Sequence, residues 1–398
     1  MDFNNTGAST PLTVAHVRPG EGHSVWDDWS GRGSSHVDFS NHERLPLERL
    51  RFLGHGVNGG VYEAMCKGVA LAWKTKYCRT SIGPQERKEI EILKKLSHAH
   101  IVKLVGTYTH QRFLGLLLWP VAVCDLATFL EDIDNLSSHW RLKGRGFDYD
   151  PGLLERCRAL GLPSDPGFML IAASSRLSQS FGCLAGAIAY LHEQRIRHKD
   201  LKPSNILISS EGLWVADFDT SSDVSQLTFS ATNNGERGTP KYFAPEVAAY
   251  EPYGRSAGQW AARTDSLHAL SCDLTDIFSL GCIFLEMAVA YSTSCSLEDL
   301  KRLRPAKDCS FQANLDQLDS WFALKKARYS YEKHLLCEIR EMLSVDPSAR
   351  PIAKDVQSHL VLIGQLTNKG MTPPPLCGQC CLPLSTVLPS NRTQRSTA

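Results

Sequence analysis

No apolar run in this 398-residue chain reaches the roughly 18 residues that cross a bilayer as a helix. The strongest candidate, FLGLLLWPVAV from Phe113 to Val123, is too short and is interrupted by Pro120. The opening MDFNNTGAST has neither a basic flank nor an apolar core, so it does not read as a secretory signal. Net charge is only +1, which supplies no global field for nucleic acid or an acidic membrane. Neither class of partner is therefore expected. The 13 cysteines are odd in number and follow no regular framework. They read as reduced thiols of a cytoplasmic or nuclear chain. No internal repeat is visible. What is present is an ordinary globular balance, 42% hydrophobic and 21% charged, with ample material for a buried core.

Residues 1–45 are rich in Gly, Ser, Asn, His and Asp without a sustained period, and are expected to be a disordered extension. Within them VWDDW, Val25 to Trp29, reads as an incidental pair of tryptophans rather than a small docking element. From residue 46 the pattern changes. LERLRFLGHGVNGGVYEAMCKGVALAWKT reads as strand, Gly-rich turn, strand, turn, strand. PQERKEIEILKKLS opens on Pro84 and carries Ile90, Leu93 and Leu96 at helical spacing. FLGLLLW is a buried-strand candidate. These elements make a first domain over 46–122.

The second domain, 123–363, is mainly helical. DLATFLEDI opens a helix, but 132–170 is polar, rich in Gly and Pro and nearly aperiodic, and is expected to be an inserted mobile segment. LSQSFGCLAGAIAYLHEQ is an apolar, small-residue helix; ILIS and LWVADF are short strands around the turn SEG. A second loop-rich insert, 251–272, precedes the helix DIFSLGCIFLEMAVAY. The tail 364–398 is expected to be disordered. Its CGQCC, Cys377 to Cys381, has the spacing of half a zinc site with no second half nearby, so its thiols are expected to be free.

Five stretches carry chemistry. Gly54, His55, Gly56, Val57, Asn58, Gly59, Gly60 and Val61 form a turn whose glycines let backbone approach phosphate oxygens. A dinucleotide site would place a helix directly after them, whereas VYEAM reads as a strand. Val61 offers an apolar roof for a flat base. LAWK ends at Lys74, a strand lysine that needs a partner for its charge, and Glu89 on the next helix is the candidate. HKDLKPSN places an acid (Asp200), a cation (Lys202) and an amide oxygen (Asn205) within one short loop. Phosphoryl transfer calls for an acceptor of the hydroxyl proton, a charge on the moving group and a metal ligand. His198 is read as a packing residue of that loop. Asp217 follows the apolar LWVA and suits Mg²⁺, which prefers oxygen ligands. Finally GTPKYFAPEV and DPSARP offer Glu246 and Arg350 as a structural bidentate pair.

In this order these stretches resemble the protein kinase family, serine/threonine branch, over about 46–363. Its landmarks fall at the glycine turn, Lys74, Glu89, Asp200, Lys202, Asn205, Asp217, Ala244-Pro245-Glu246, Asp276 and Arg350. The resemblance implies an α+β, bilobal fold. A small β-rich lobe would carry one main helix, a larger lobe would be mainly helical, and ATP would lie in the cleft. It further implies Ala72 and Leu118 at the adenine and Asp125 near the ribose. The adenine donor would come from Val121 or Ala122, since Pro120 has no N–H. Mg²⁺ would sit on Asn205 and Asp217. The implied activity is transfer of the ATP γ-phosphoryl group to protein serine or threonine hydroxyls. The competing readings are a pseudokinase scaffold and a small-molecule kinase.

Two departures qualify the resemblance. Lys199 stands where an arginine usually precedes the catalytic aspartate, keeping the charge but losing the bidentate fork. This weakens the case for control by phosphorylation within TSSDVSQLTFSAT. Asp219 stands where glycine is usual. A left-handed backbone is expected there, at a cost of about 1 kcal/mol for a residue that tolerates it. The extra carboxylate would either attract metal or repel ATP phosphates.

Overall fold

A computed structural model describes residues 24–56, 59–78, 82–141, 149–224, 238–249, 265–292, 294–307, 309–366 and 374–381. The chain divides into two compact units. One takes the described residues up to Ile90 together with Val102–Val121. The other takes Glu91–Ile101 and the described residues from Ala122 onward.

The first unit is a six-stranded sheet with one main helix. After the short helix α1 (Ser24–Asp27) come β1 (His36–Phe39), β2 (Glu48–Gly56), β3 (Gly59–Cys66) and β4 (Val69–Tyr77). The helix α2 (Pro84–Lys95) precedes β5 (Lys103–His110) and β6 (Phe113–Trp119). Spatial order is β1-β5-β6-β4-β3-β2. Pro84 begins α2 because its fixed φ and missing N–H suit a first helical position.

The first strand corrects the reading of 1–45. Residues 24–45 are ordered into this sheet, while 1–23 lie outside the described residues. β1 pairs in parallel with β5, His36 opposite Thr107 and Phe39 opposite His110. Its side chains alternate, Val37 and Phe39 buried and Asp38 exposed. Val25 and Trp29 join Val37, Phe39, Leu71, Val105, Tyr108 and Leu117 in one apolar cluster. Trp29 is 1% exposed, and Trp26 meets Trp119 edge-on at 5.8 Å. The tryptophans are core residues, not incidental ones.

The second unit is mainly helical. Its small strands are β7 (Cys124–Asp125), β8 (Ile196–Arg197), β9 (Ile206–Ser209), β10 (Gly212–Val215) and β11 (Ser222–Asp223). They pair as β10-β9-β7 and β11-β8. Its helices are α3 (Leu126–Arg141), α4 (Pro151–Ala159), α5 (Pro166–Glu193), α6 (Pro245–Ala248), α7 (Asp265–Ala290), α8 (Leu297–Arg302), α9 (Leu318–Leu324), α10 (Ser330–Met342) and α11 (Ala353–Ile363). α5 and the described part of α7 are buried along much of their length.

The stretch 132–170 is largely helical rather than irregular; 142–148 lie outside the described residues. α3 continues to Arg141 and α5 starts at Pro166. Asp150 and Asp165 cap α4 and α5, accepting from Leu153 N and from Gly167 N and Phe168 N. Both helices have proline at their first position, so a residue that reads as a breaker is a start signal here. Arg156 forks onto Asp132 at 2.8 and 2.6 Å, tying α4 to α3. In the second insert, 250–264 lie outside the described residues and the helix has already begun at Asp265.

Candidate active site

In the first unit, the β2–β3 hairpin sets Gly54 opposite Val61, His55 opposite Gly60 and Gly56 opposite Gly59. Val57 and Asn58, at its turn, lie outside the described residues. A side chain at Gly59 would strike the Thr75 carbonyl oxygen, since its Cβ would lie 1.8 Å away. Thr75 ties the hairpin to β4, its Oγ1 donating to Gly60 O at 3.0 Å. On β4, Ala72 pairs with Leu118 of β6 and Lys74 with Leu116. Ala72 and Val121 are buried, whereas Leu118, Ala122 and Asp125 are half-buried.

Lys74 and Glu89 meet: Nζ donates to Oε1 at 3.0 Å, with both residues buried. The sequence reading missed Lys76, whose Nζ donates to Glu89 Oε2 at 2.5 Å. Each oxygen of Glu89 therefore accepts from one lysine. Strand alternation held the signal, since residues two apart on β4 share a face.

In the second unit, Asp200 is held from three directions. Lys202 Nζ and Asn205 Nδ2 donate to its Oδ2 at 2.8 and 3.1 Å. The backbone N–H of Thr239 donates to Oδ1 at 2.6 Å. Lys202 also donates to Thr239 Oγ1 at 2.8 Å, so Thr239 is a second participant the sequence did not reveal. Glycine is needed just before it, because a Cβ at Gly238 would lie 2.6 Å from Lys199 O. Asn205 places its amide nitrogen on Asp200, which leaves Oδ1 as the atom able to ligate a cation. Its carbonyl accepts from Ala216 N at 2.9 Å, holding the start of β9 beside the end of β10, where Asp217 follows.

The loop is anchored from beneath. Asp276 accepts from the backbone N–H groups of His198 and Lys199 at 2.8 and 2.9 Å and meets His192 Nε2 at 3.2 Å. Burial pushes the Asp276 carboxyl up, but the His192 hydrogen bond and charge, with His198 and the Lys199 N–H, hold it below the usual carboxylate range. His198 is fully buried, its Nε2 on Ala216 O at 3.0 Å and its ring 5.1 Å from Phe218, as befits a packing residue.

Backbone strain falls on a different residue than expected. The left-handed conformation belongs to Asp217, with φ +65°, and to Lys199, with φ +68°. Asp219 is not among the positive-φ residues. Aspartate tolerates this region better than most residues, and Asp217 takes it two positions earlier than the glycine pattern led us to expect.

Glu246 and Arg350 form the bidentate pair, Nη1 to Oε1 at 2.7 Å and Nη2 to Oε2 at 2.8 Å. The remaining donors reach Ser344 O, Leu274 O and Val345 O, so all five guanidinium N–H groups are used. Lysine has three donors and no fork. Arg350→Lys should therefore cost about 1.5–3 kcal/mol, read as a lower urea midpoint at unchanged slope; an unchanged midpoint would remove the pair from the scaffold.

The profile of the protein kinase domain matches residues 47–264, more than half of the chain. The chain belongs to the protein kinase family. Its α+β architecture, a β-rich unit with one main helix and a helical unit, is that family's. Among curated proteins this chain is similar to a probable serine/threonine-protein kinase of Dictyostelium discoideum, 25% identical over 354 residues, which cover 85% of this chain and 30% of that one. It is similar to the protein kinase US3 homolog of Gallid herpesvirus 2, 25% identical over 288 residues, 72% of this chain and 53% of the other. Human calcium/calmodulin-dependent protein kinase type IV is 27% identical over 263 residues, 64% and 46% of the two chains. The chain thus spans only part of these relatives' lengths.

Proposed function

We propose that this chain is an active serine/threonine protein kinase, moving the ATP γ-phosphoryl group to a hydroxyl of a protein substrate. The observation that carries the reading is Asp200, whose carboxylate is oriented by Lys202, Asn205 and Thr239 N. Asp200 positions the substrate hydroxyl and takes its proton. Lys202, two residues on, places its ammonium against the charge of the moving group. The donor set of Asn205 Oδ1 and Asp217 is all oxygen, which fits Mg²⁺. When bound, that ion neutralises phosphate charge. In the first unit, Lys74 offers its ammonium to the phosphates with Glu89 fixing its direction, and the glycine hairpin offers backbone N–H groups. Ala72, Leu118, Val121 and Ala122 supply the adenine surface, with Asp125 for the ribose. A cytoplasmic or nuclear setting with protein substrates completes the reading.

The test is transfer of labelled phosphate from ATP to a generic protein substrate, wild type against Asp200→Asn. Equal transfer by both would leave the pseudokinase scaffold as the function. Asp219→Gly adds a second measurement. Because Asp219 has no left-handed backbone, glycine relieves no strain there, and the effect on metal comes from the lost carboxylate. Loss of one carboxylate beside the metal residues is worth about 1 kcal/mol, so the Mg²⁺ concentration for half-maximal rate should rise several-fold. If only the glycine variant transfers phosphate, Asp219 is an inactivating substitution.

A further inference from the structure

Three cysteines and one histidine from three separate segments meet in the second unit. His100 lies past the end of α2, Cys183 lies in the middle of α5, and Cys380 and Cys381 sit in a 3-10 turn, Gln379–Cys381. Cys183 Sγ is 3.7 Å from Cys380 Sγ and 3.8 Å from Cys381 Sγ, and His100 Nε2 is 3.1 Å from Cys381 Sγ. The four ligand atoms all lie within 4.8 Å of one another. The sequence offered Cys377 and Cys380 at CxxC spacing with no second half; the cluster takes the adjacent Cys380 and Cys381 instead, together with His100 and with Cys183, 197 positions upstream of Cys380.

We propose that Cys183, Cys380, Cys381 and His100 bind one zinc ion in a closed structural site that fastens residues 374–381 to helix α5. Three observations support it. The first is spacing. With zinc–sulfur bonds of about 2.3 Å, a tetrahedron has sulfur–sulfur edges of about 3.8 Å, which the two separations from Cys183 match. The second is the histidine. His100 is 3% exposed, and its Nδ1 lies 3.0 Å from the carbonyl oxygen of Leu213. A carbonyl only accepts, so Nδ1 carries a proton, and in the neutral ring Nε2 presents its lone pair to the sulfurs; this is the outer contact that orients a metal-binding imidazole. The third is the cradle. Gly182 N donates to Leu376 O at 2.6 Å, and a Cβ on Gly182 would lie 2.7 Å from that of Cys377. Gly378 N donates to Cys183 Sγ at 3.4 Å.

Three sulfurs and one imidazole, without a carboxylate, select zinc over magnesium or calcium. On binding, each of the three thiols releases a proton to solvent while the imidazole stays neutral, so Zn²⁺ and three thiolates leave a net charge of −1. Cys380 is exposed and gives the ion an entry path. Cys377 is a neighbouring thiol beside Gly182 and lies outside the ligand set.

The test uses the full chain, purified under a thiol reductant from cells supplied with zinc, with metal measured per chain. The expected result is one zinc per wild-type chain, at least a tenfold loss in Cys183→Ser and Cys380→Ser, and retention in Cys377→Ser. Exchange with cobalt should give the visible bands of a tetrahedral thiolate site, a readout on wild type that needs no variant to fold. Chelation should lower the melting temperature and open residues 374–381 to protease. A wild type that holds no zinc, takes up none when it is added and shows no cobalt bands overturns the proposal. So does a disulfide joining Cys183 to Cys380 or Cys381 in the reductant-purified chain. Loss of the ion in Cys377→Ser with retention in Cys381→Ser overturns the ligand set.

Discussion

Asp200→Asn should lower phosphate transfer about 10²–10⁴-fold, the range a positioned general base contributes. The substitution keeps shape and volume, so the effect is chemical. The two oxygens of Asp200 accept from the backbone N–H of Thr239 on one side and from Lys202 Nζ and Asn205 Nδ2 on the other. An amide has one acceptor and one donor. If its oxygen faces Thr239 N, its NH₂ faces the Lys202 ammonium, and donor meets donor. The variant therefore also loses some stability, about 1–3 kcal/mol for a polar group left without its partner. Two measurements separate these effects. Single-turnover transfer reads the chemical step, and the melting temperature reads the fold. Asp200→Ala removes both acceptor oxygens along with the base, so it should lose rate as Asp200→Asn does and be no more stable than that variant. A variant whose rate returns along with its stability would show that Asp200 is a scaffold residue.

The loop around Asp200 was legible in sequence because its chemistry is local. Asp200, Lys202 and Asn205 meet within one short loop, so their spacing can be read directly. The Lys74–Glu89 pair was legible for a different reason, since a lysine inside a strand requires a partner and the next helix offers one on its apolar side. Thr239 was not legible. It reaches Asp200 and Lys202 from 37 positions or more down the chain, and no local pattern announces such a contact. The same limit hid the second half of the Cys–His cluster. The left-handed residue was misplaced by two positions because both candidates are aspartates, and side-chain identity does not say which of them carries the positive φ.

The segment 132–170 failed for a reason that can be stated. Pro151 and Pro166 interrupt a pattern when read as interior residues, yet each begins a helix. Leu153, Cys157 and Leu160 are buried together, at spacings of four and three that were present in the sequence. A short amphipathic helix flanked by polar loops dilutes that period below notice in a long window. Aspartate directly before each proline was the stronger signal, because capping chemistry needs only two adjacent residues.

Trp29→Ala should destabilise the first unit by about 3–5 kcal/mol, the cost of truncating a fully buried large aromatic. Trp29 contacts both Phe39 and Tyr108 with ring centroids 6.2 Å apart. It also fills the space above Gly106, where any Cβ would lie 2.2 Å from the indole. The glycine on β5 and the tryptophan before β1 are thus two parts of one packing arrangement, and removing the larger leaves a cavity that backbone cannot close. Its carbonyl accepts from Cys66 Sγ at 3.4 Å, a contact alanine preserves, so the loss isolates the side chain. Trp26→Ala is the internal comparison. Trp26 is only half-buried; it makes one ring–ring contact, edge-on with Trp119, and a cation–π contact with Lys103 Nζ at 4.8 Å, so its loss should be clearly smaller. Urea midpoints for both variants, with intensity from the remaining tryptophans as the probe, decide the matter. Equal, small shifts would return residues 24–45 to the status of an accessory extension. A large shift for Trp29 alone would make β1 part of the sheet that holds Lys74 and Glu89 in register.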